Sequence, residues 1–141
     1  MAVRRPESVL VVVYTAAGDC LLLERVEPAG FWQSVTGSLD WGESARDAAV
    51  RELREETGLG PDGLRDAGIS RRFEIFPAWR RRYPPGVVHN LEHLWYLELP
   101  GRQPVELNPL EHRRHCWCPL TEAIAKVASW TNREALERLR T

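Results

Sequence analysis

The sequence lacks a long hydrophobic run. Its longest apolar stretch covers residues 9–14. That is far short of the ~20 residues of a membrane-spanning helix, and shorter than the ~7–15-residue apolar core of a secretory signal. No small-residue cleavage site follows the stretch at a usable distance. We therefore expect a cytoplasmic protein without a membrane partner.

The sequence also lacks an excess of charge of one sign. Its 19 Lys and Arg residues stand against 20 Asp and Glu residues, and the net charge at pH 7 is −1. Because binding to nucleic acid polymers or anionic membranes draws on positive charge, we expect neither kind of partner. All basic residues except Lys126 are arginine, whose planar guanidinium suits phosphate groups. A codon bias explains the overall arginine count more simply.

Cysteine is scarce, and its odd count of three does not form a disulfide framework. Cys116 and Cys118 lie near His112 and His115, and these residue types bind zinc. A structural zinc site needs a second ligand pair, which this segment lacks. On a strand, Cys116 and Cys118 would share one face with His115 on the other, so we expect the cysteines to pack as small hydrophobic residues.

What is present is the pattern of one mixed α and β domain over residues 1–141. Hydrophobic and turn patterns predict strands at 8–14, 20–24, 31–36, 71–79, 91–99 and 115–118. A central helix follows the third strand, and two short helices cover 119–128 and 131–139. The connections are 58–68, 80–90 and 100–109. Residues 79–82, Trp-Arg-Arg-Arg, could steer a polyanion into a cleft, although a solvent-exposed loop is the simpler interpretation. This order favours an α+β fold with a mixed sheet.

The central helix has clear start and stop signals. Ser44 is a favourable N-cap, and Asp47, three residues later, is positioned as its capping-box partner. The helix is expected to run to about Thr57, because Gly58 is a typical C-terminal stop.

Three carboxylates share one stripe of this helix. At about 100° per residue, Glu52, Glu55 and Glu56 fall within one sector, and Val50 and Leu53 lie in the neighbouring sector. The apolar residues would seat the helix on the sheet. We therefore expect the carboxylates at the edge of the buried face, where they can face a cleft.

Two interpretations of this stripe are open. Arg51 and Arg54 are interleaved with the acids, so a solvated, salt-bridged face is one. The residues before the helix favour the other, because Gly37 and Gly42 bracket a loop whose backbone can approach a ligand and Glu43 precedes the helix. A cluster of hard oxygen ligands beside such a loop suits Mg²⁺ or Mn²⁺ together with substrate phosphates.

Residues 37–59 resemble the Nudix box at every specified position. The matching residues are Gly37, Glu43, Arg51, Glu52, Leu53, Glu55, Glu56, Gly58 and Leu59. The resemblance implies an α/β/α sandwich on a mixed sheet. It also implies a divalent-cation-dependent hydrolase, with Mg²⁺ as the metal and Mn²⁺ as a second possibility.

The resemblance also implies roles within the box. The metal ligands would be Glu52, Glu56, Glu55 and the carbonyl of Gly37, and Glu55 or Glu56 could also serve as the base. Glu43 and Arg51 would brace the loop before the helix. These roles rest on the matched positions alone.

Further motifs are similar to the dihydroneopterin triphosphate pyrophosphatase subfamily of the Nudix family. They are Arg-Pro near the start, residues 31–38, 73–76 and 82–86, Asn90-x-Glu92, Glu111-His112 and residues 129–133. The similarity implies cleavage of that triphosphate into a monophosphate and pyrophosphate, a step of folate biosynthesis. It makes Glu111 a metal ligand or the water-activating carboxylate.

The same similarity implies a set of substrate contacts. They are Arg4, Arg25, Thr36, Phe73, Glu74, Ile75, Phe76 and Asn132. Each has a plainer alternative. Phe73 and Phe76 could pack in the core, and Asn132 could be the N-cap of the last helix.

Three other functions remain alternatives. A nucleotide-pool pyrophosphohydrolase acting on dATP or another (d)NTP would use the same chemistry. A non-hydrolytic nucleotide-binding module would keep the fold, and a purely structural acidic helix would bind no metal. Nothing in the sequence specifies an oligomeric state.

Overall fold

The structure is a computed structural model that describes residues 3–140, so the two ends of the predicted 1–141 domain lie outside it. In chain order its elements are β1 (Glu7–Thr15), β2 (Asp19–Arg25), β3 (Trp32–Gln33), β4 (Val35–Ser38), α1 (Ala45–Thr57), β5 (Leu64–Glu74), a 3₁₀ helix (Pro77–Arg82), β6 (His89–Leu99), β7 (His112–Pro119), α2 (Leu120–Lys126) and α3 (Trp130–Glu137). Over residues 3–140, no helix has both the length and the apolar character needed to cross a membrane.

The strands form one mixed sheet. Its main path is β3-β2-β1-β6-β5, in which β1 and β6 are parallel and the other neighbours antiparallel. β2 pairs with β1 only at Tyr14 and Cys20, close to the turn that joins the two strands. β4 pairs with residues 8–11 of β1, and β7 pairs with β2 along its length. The start of β1 is therefore available to β4, the strand that leads into α1.

The two faces of the sheet carry different helices. One core cluster joins Val9, Val11 and Val13 of β1 to Leu53 of α1. The other joins Leu10 and Val12 to side chains of α2 and α3. Because β1 is covered on both faces, its valine-rich run is buried almost throughout. The structure confirms the predicted α+β class and the α/β/α sandwich.

Helix α1 has the predicted ends. The Ser44 hydroxyl accepts a hydrogen bond from the backbone N–H of Asp47 at 3.1 Å, and Gly58 takes a left-handed conformation with φ +77°. Asp47 contributes its backbone rather than its side chain to this bond. The structure therefore forms the serine half of the predicted capping box.

The predicted strand at 71–79 is wrong at both ends. β5 begins at Leu64, inside the segment interpreted as turns, and ends at Glu74. Its pairing with β6 is irregular between Asp66 and Ser70, and Gly68 lies there with φ +69°. The turn-forming residues thus make a bulge within a strand rather than a loop before one. Pro77 begins the 3₁₀ helix that contains Trp79.

The predicted strand at 31–36 is divided in two. β3 pairs with β2, and β4 pairs with β1, with Ser34 between them. The cysteines pack as expected, because Cys20 and Cys118 are buried in the cluster beneath α2 and α3, and Cys116 packs against that cluster.

Candidate active site

Strand β4 separates the acidic helix from a cavity. Thr36 and Ser38 pair with Leu10 and Ser8, whose side chains face α2 and α3, so their own side chains share that face. Gly37 faces α1. A Cβ atom at Gly37 would lie 2.2 Å from Cδ of Glu52. Only glycine therefore lets this carboxylate lie against the strand.

Glu52 and Glu56 form a buried carboxyl pair beneath Gly37. They are 8% and 1% exposed, and they lie close enough that each shifts the pKa of the other. Glu56 Oε1 also accepts from the Thr36 N–H at 3.4 Å. Burial, together with Glu52 and the negative charge of Glu111, raises the pKa of Glu56 well above its ordinary value. Burial also raises the pKa of Glu52, against the opposing effect of Arg51. A proton or a cation must compensate this pair.

Arg51 ties the loop before α1 to the helix. Its Nε and Nη2 donate to the Glu43 carboxylate at 2.9 and 2.8 Å, and Nη1 donates to Glu52 at 2.5 Å. Nη2 also donates to the Ser38 carbonyl at 3.1 Å. Glu43 in turn accepts from the Asp40 N–H at 2.9 Å, and the bonds from Arg51 hold the pKa of Glu43 below its ordinary value. The loop and the carboxyl pair thus share one guanidinium.

The other two predicted acids lie at the edge of this pair. The Glu55 side chain is 52% exposed, and its carboxylate lies 3.4 Å from Nη1 of Arg51. Glu111 is exposed, in the turn before β7. Over residues 3–140, no group of three or more His, Cys, Asp or Glu side chains is arranged to hold a metal ion. Of the four carboxylates predicted as metal ligands, only those of Glu52 and Glu56 lie together in the structure.

Two carboxylates nevertheless fit a magnesium site. Mg²⁺ is commonly bound through one or two carboxylates, with waters and substrate phosphates as the other ligands. The oxygens of Glu52 and Glu56 are hard ligands in a buried position, where Arg51 contacts Glu52 and burial disfavours the charged form of Glu56. These two residues could hold such an ion.

A cavity of about 390 Å³ opens on the opposite face of β4. The structure brings all eight sequence-predicted substrate residues into its lining: Arg4, Arg25, Thr36, Phe73, Glu74, Ile75, Phe76 and Asn132. Gly37 lines it too, but the three acids of the α1 stripe do not. The expectation that the stripe faces the cleft directly is wrong, because the side-chain alternation of β4 places the strand between them.

Arginine and aromatic side chains gather at one part of this cavity. The guanidinium carbon of Arg25 lies 5.1 Å from the ring centroid of Trp79 and 5.8 Å from that of Phe31. Arg82 lies 5.6 Å from the Trp79 ring. Burial and the positive charges of Arg82 and Arg4 lower the pKa of Arg25. Three like charges held together in this way favour an anionic ligand.

The structure also decides two of the plainer alternatives. Phe76 is 50% exposed, so core packing does not explain it. Ser129, not Asn132, caps α3, and its hydroxyl accepts from the Asn132 N–H at 3.1 Å. The Asn132 amide instead accepts from the Ser34 N–H at 2.8 Å and donates to the Ser34 hydroxyl at 3.0 Å. It thereby ties α3 to the segment between β3 and β4.

Sequence reasoning gave no site role to several residues of the cavity lining. They include Phe31, Asn90 and Glu92, which the sequence placed only within motifs. The segment 79–82 was expected in a solvated loop, whereas the 3₁₀ helix folds it back over Arg25. Asn90 and Glu92 carried a usable signal, because they are polar residues in phase with Leu94 and Tyr96 on a buried strand face.

Comparisons with known proteins agree with this architecture. Residues 4–139 match the NUDIX domain family. The chain is 39% identical over 140 residues to the dihydroneopterin triphosphate diphosphatase of Escherichia coli (strain K12), covering 96% of this chain and 92% of that protein. It is 36% identical to the enzyme of the same name from Haemophilus influenzae, covering 98% and 89%.

Solved structures give the same picture. The E. coli dihydroneopterin triphosphate pyrophosphohydrolase superposes with a TM-score of 0.91 at 38% identity, over 99% of this chain and 97% of that one. An Ap4A hydrolase from C. elegans has a TM-score of 0.68 at 24% identity, over 94% and 93%, which reflects the fold alone. With a family match over nearly all of its length and relatives above 30% identity, the chain belongs to the Nudix family.

Proposed function

We propose that this protein is a divalent-cation-dependent pyrophosphohydrolase that cleaves dihydroneopterin triphosphate into a monophosphate and pyrophosphate. Its relatives of 36–39% identity are named for this substrate. The observation that carries the proposal is the position of residues 36–38, which separate a buried carboxyl pair from a cavity that gathers arginines. A polyphosphate lying along this segment would meet both.

Glu52 and Glu56 would hold the cation, which in Nudix hydrolases is usually Mg²⁺, and Mn²⁺ is also suitable. Glu55, Glu111 and the Gly37 carbonyl are the further ligands that we propose. When bound, such an ion neutralises phosphate charge and lowers the pKa of a coordinated water.

The remaining roles fall to side chains around the cation site. Glu43 and Arg51 brace the loop that leads into α1. One of three carboxylates, Glu56 of the pair or Glu55 or Glu111 at its edge, accepts the proton from the attacking water.

The cavity would hold the rest of the substrate. Arg4 and Arg25, with Thr36, contact the phosphates next to the carboxyl pair. The heterocycle lies against Phe73, Glu74, Ile75 and Phe76, and Asn132 borders it from α3. An aromatic wall of this kind suits a flat ring.

The test is a comparison of substrates with Mg²⁺ present. We expect kcat/KM for dihydroneopterin triphosphate to exceed that for dATP and 8-oxo-dGTP, with pyrophosphate as the released product and no turnover in EDTA. A higher kcat/KM for dATP would favour the nucleotide-pool alternative. Binding without release of pyrophosphate from any of the three would favour a binding module.

A further inference from the structure

The floor of the cavity holds a buried carboxyl group to which the hydrolytic chemistry gives no role. Along β6, residues 90, 92, 94 and 96 alternate onto the face that carries α3, and Leu94 and Tyr96 are part of its core. Glu92, which is 7% exposed, lies where this face reaches the cavity. On this buried face of β6, the polar residues Asn90 and Glu92 therefore stand at the cavity where apolar residues would continue the core.

The position of Glu92 relative to β4 follows from the strand register. Glu92 pairs with Ser8 of β1, and Ser8 pairs with Ser38 of β4. Two strand spacings, about 10 Å, therefore separate Glu92 from the segment proposed to border the phosphates. A bicyclic ring joined to a triphosphate by a short linker has a comparable reach.

Glu92 has no basic partner. Its cross-strand neighbour Arg71 is bonded to Glu134 of α3, with Nε to Oε1 at 2.7 Å. Thr131 of α3 lies beside the Glu92 carboxyl and favours its charged form, and none of the ion pairs within residues 3–140 includes Glu92. The other charged side chains of the cavity lining are Arg4, Arg25, Glu74, Arg82 and Arg133. Burial raises the pKa of Glu92 to about 7, against the effect of Thr131.

A second acceptor lies beside this carboxyl. Asn90 is 1% exposed, and its Nδ2 donates to the Ser8 hydroxyl at 2.7 Å. Its Oδ1 has no hydrogen-bond partner within the described part of the chain. Within residues 3–140 the floor therefore presents an amide oxygen that lacks a donor beside a carboxylate that lacks a basic partner. Such buried groups are costly unless a ligand supplies donors to them.

Adjacent donors of this kind occur on one type of heterocycle. A 2-amino-4-oxopyrimidine ring, present in pterins and in guanine, carries an amino group next to a ring N–H, and one carboxylate can accept both bonds. Adenine instead offers an amino group next to a ring nitrogen that is itself an acceptor. That nitrogen would face the carboxylate unfavourably.

We propose that Glu92 is a specificity-determining residue that accepts hydrogen bonds from the amino group and the neighbouring ring N–H of a 2-amino-4-oxopyrimidine substrate. The proposal rests on the proposed function for the location of the phosphates. Binding of this edge favours the charged carboxylate, so the affinity for the ring rises with pH through about 7 as Glu92 loses its proton.

The direct test uses neopterin, which carries the ring edge without phosphates. Its fluorescence titration requires no metal, so the outcome does not depend on hydrolysis. We expect Glu92→Gln to weaken neopterin binding at least tenfold at pH 8. The wild-type affinity should increase from pH 6 to pH 8 while that of the variant stays flat. Glu98→Gln, on the same strand at an exposed position, is the matched control and should bind like the wild type.

Kinetics and stability supply readouts that a merely structural role would not move. Glu92→Gln should raise KM for dihydroneopterin triphosphate more than it lowers kcat, and should not lower kcat/KM for dATP. The carboxyl keeps its proton longer in the folded than in the unfolded chain, so the wild type loses stability as pH rises from about 4.5 to about 7. The Tm of the variant relative to the wild type should therefore increase between pH 5 and pH 8.

Three results would overturn the proposal. The first is a neopterin affinity of Glu92→Gln within twofold of the wild type. The second is an equal loss of kcat/KM for dihydroneopterin triphosphate and for dATP in this variant. The third is a Tm difference between the variant and the wild type that does not change with pH. Wild-type protein that binds neopterin through Glu92 but hydrolyses no triphosphate would contradict the proposed function alone.

Discussion

Replacing Glu56 by glutamine is expected to lower kcat on the order of a hundredfold or more, with no loss of Tm. The amide keeps the size of the side chain but cannot carry the negative charge that a cation site requires. Glu56 is 1% exposed and faces a second carboxyl group, so removing its charge relieves repulsion in the folded chain. Steady-state kinetics with Mg²⁺ and a thermal melt in the absence of metal measure the two effects.

The matched control is Glu137→Gln, the same substitution at an exposed position on α3. It should retain wild-type turnover. If Glu56→Gln retained near-native kcat while folded, Glu56 would be excluded from the cation site.

Replacing Gly37 by alanine should reduce kcat by a similar order, for a steric rather than an electrostatic reason. The new methyl group would lie 2.2 Å from Cδ and 2.4 and 2.6 Å from the two carboxylate oxygens of Glu52. Because contacts this short cannot persist, the Glu52 carboxylate must leave its place beside β4. Gly37 does not adopt a left-handed backbone, so the strand itself accepts alanine. The kcat of the purified variant and its Mn²⁺ affinity should fall together.

Gly60→Ala is the control for this change. A Cβ atom there meets nothing within 4 Å, and Gly60 also has an ordinary backbone conformation. Its kinetics should match those of the wild type. A fully active Gly37→Ala protein would show that the position of Glu52 against β4 is not needed for turnover.

The sequence predicted the features that depend on local geometry. Ser44 and Gly58 mark the ends of α1, and the 3.6-residue period places Glu52 and Glu56 on one side, because both follow from a single helix. The burial of these two acids and the exposure of Glu55 depend on packing. The position of β4 and the contacts of Arg51 determine which of the three acids are buried. A helical wheel shows neither of these, because both lie outside the helix period.

The features that the sequence did not predict depend on register and long-range pairing. The irregular stretch between Asp66 and Ser70 is a bulge only because β6 continues alongside it. Glu92 lies at the cavity floor because of its register with Ser8. The short 3₁₀ helix likewise brings Arg82 and Trp79 back to Arg25, although their sequence is typical of a solvated turn.

The most direct test of the cation site beneath Gly37 is a titration with Mn²⁺ monitored by electron paramagnetic resonance. The signal of free Mn²⁺ gives the fraction of the ion that is bound. We predict that the wild-type chain binds Mn²⁺ without substrate, and that Mg²⁺ competes for the site. Glu52→Gln should weaken this binding at least about tenfold, because one of two charged ligands is lost. Equal Mn²⁺ affinity in the wild type and in Glu52→Gln would contradict the assignment of the α1 carboxylates as the cation site.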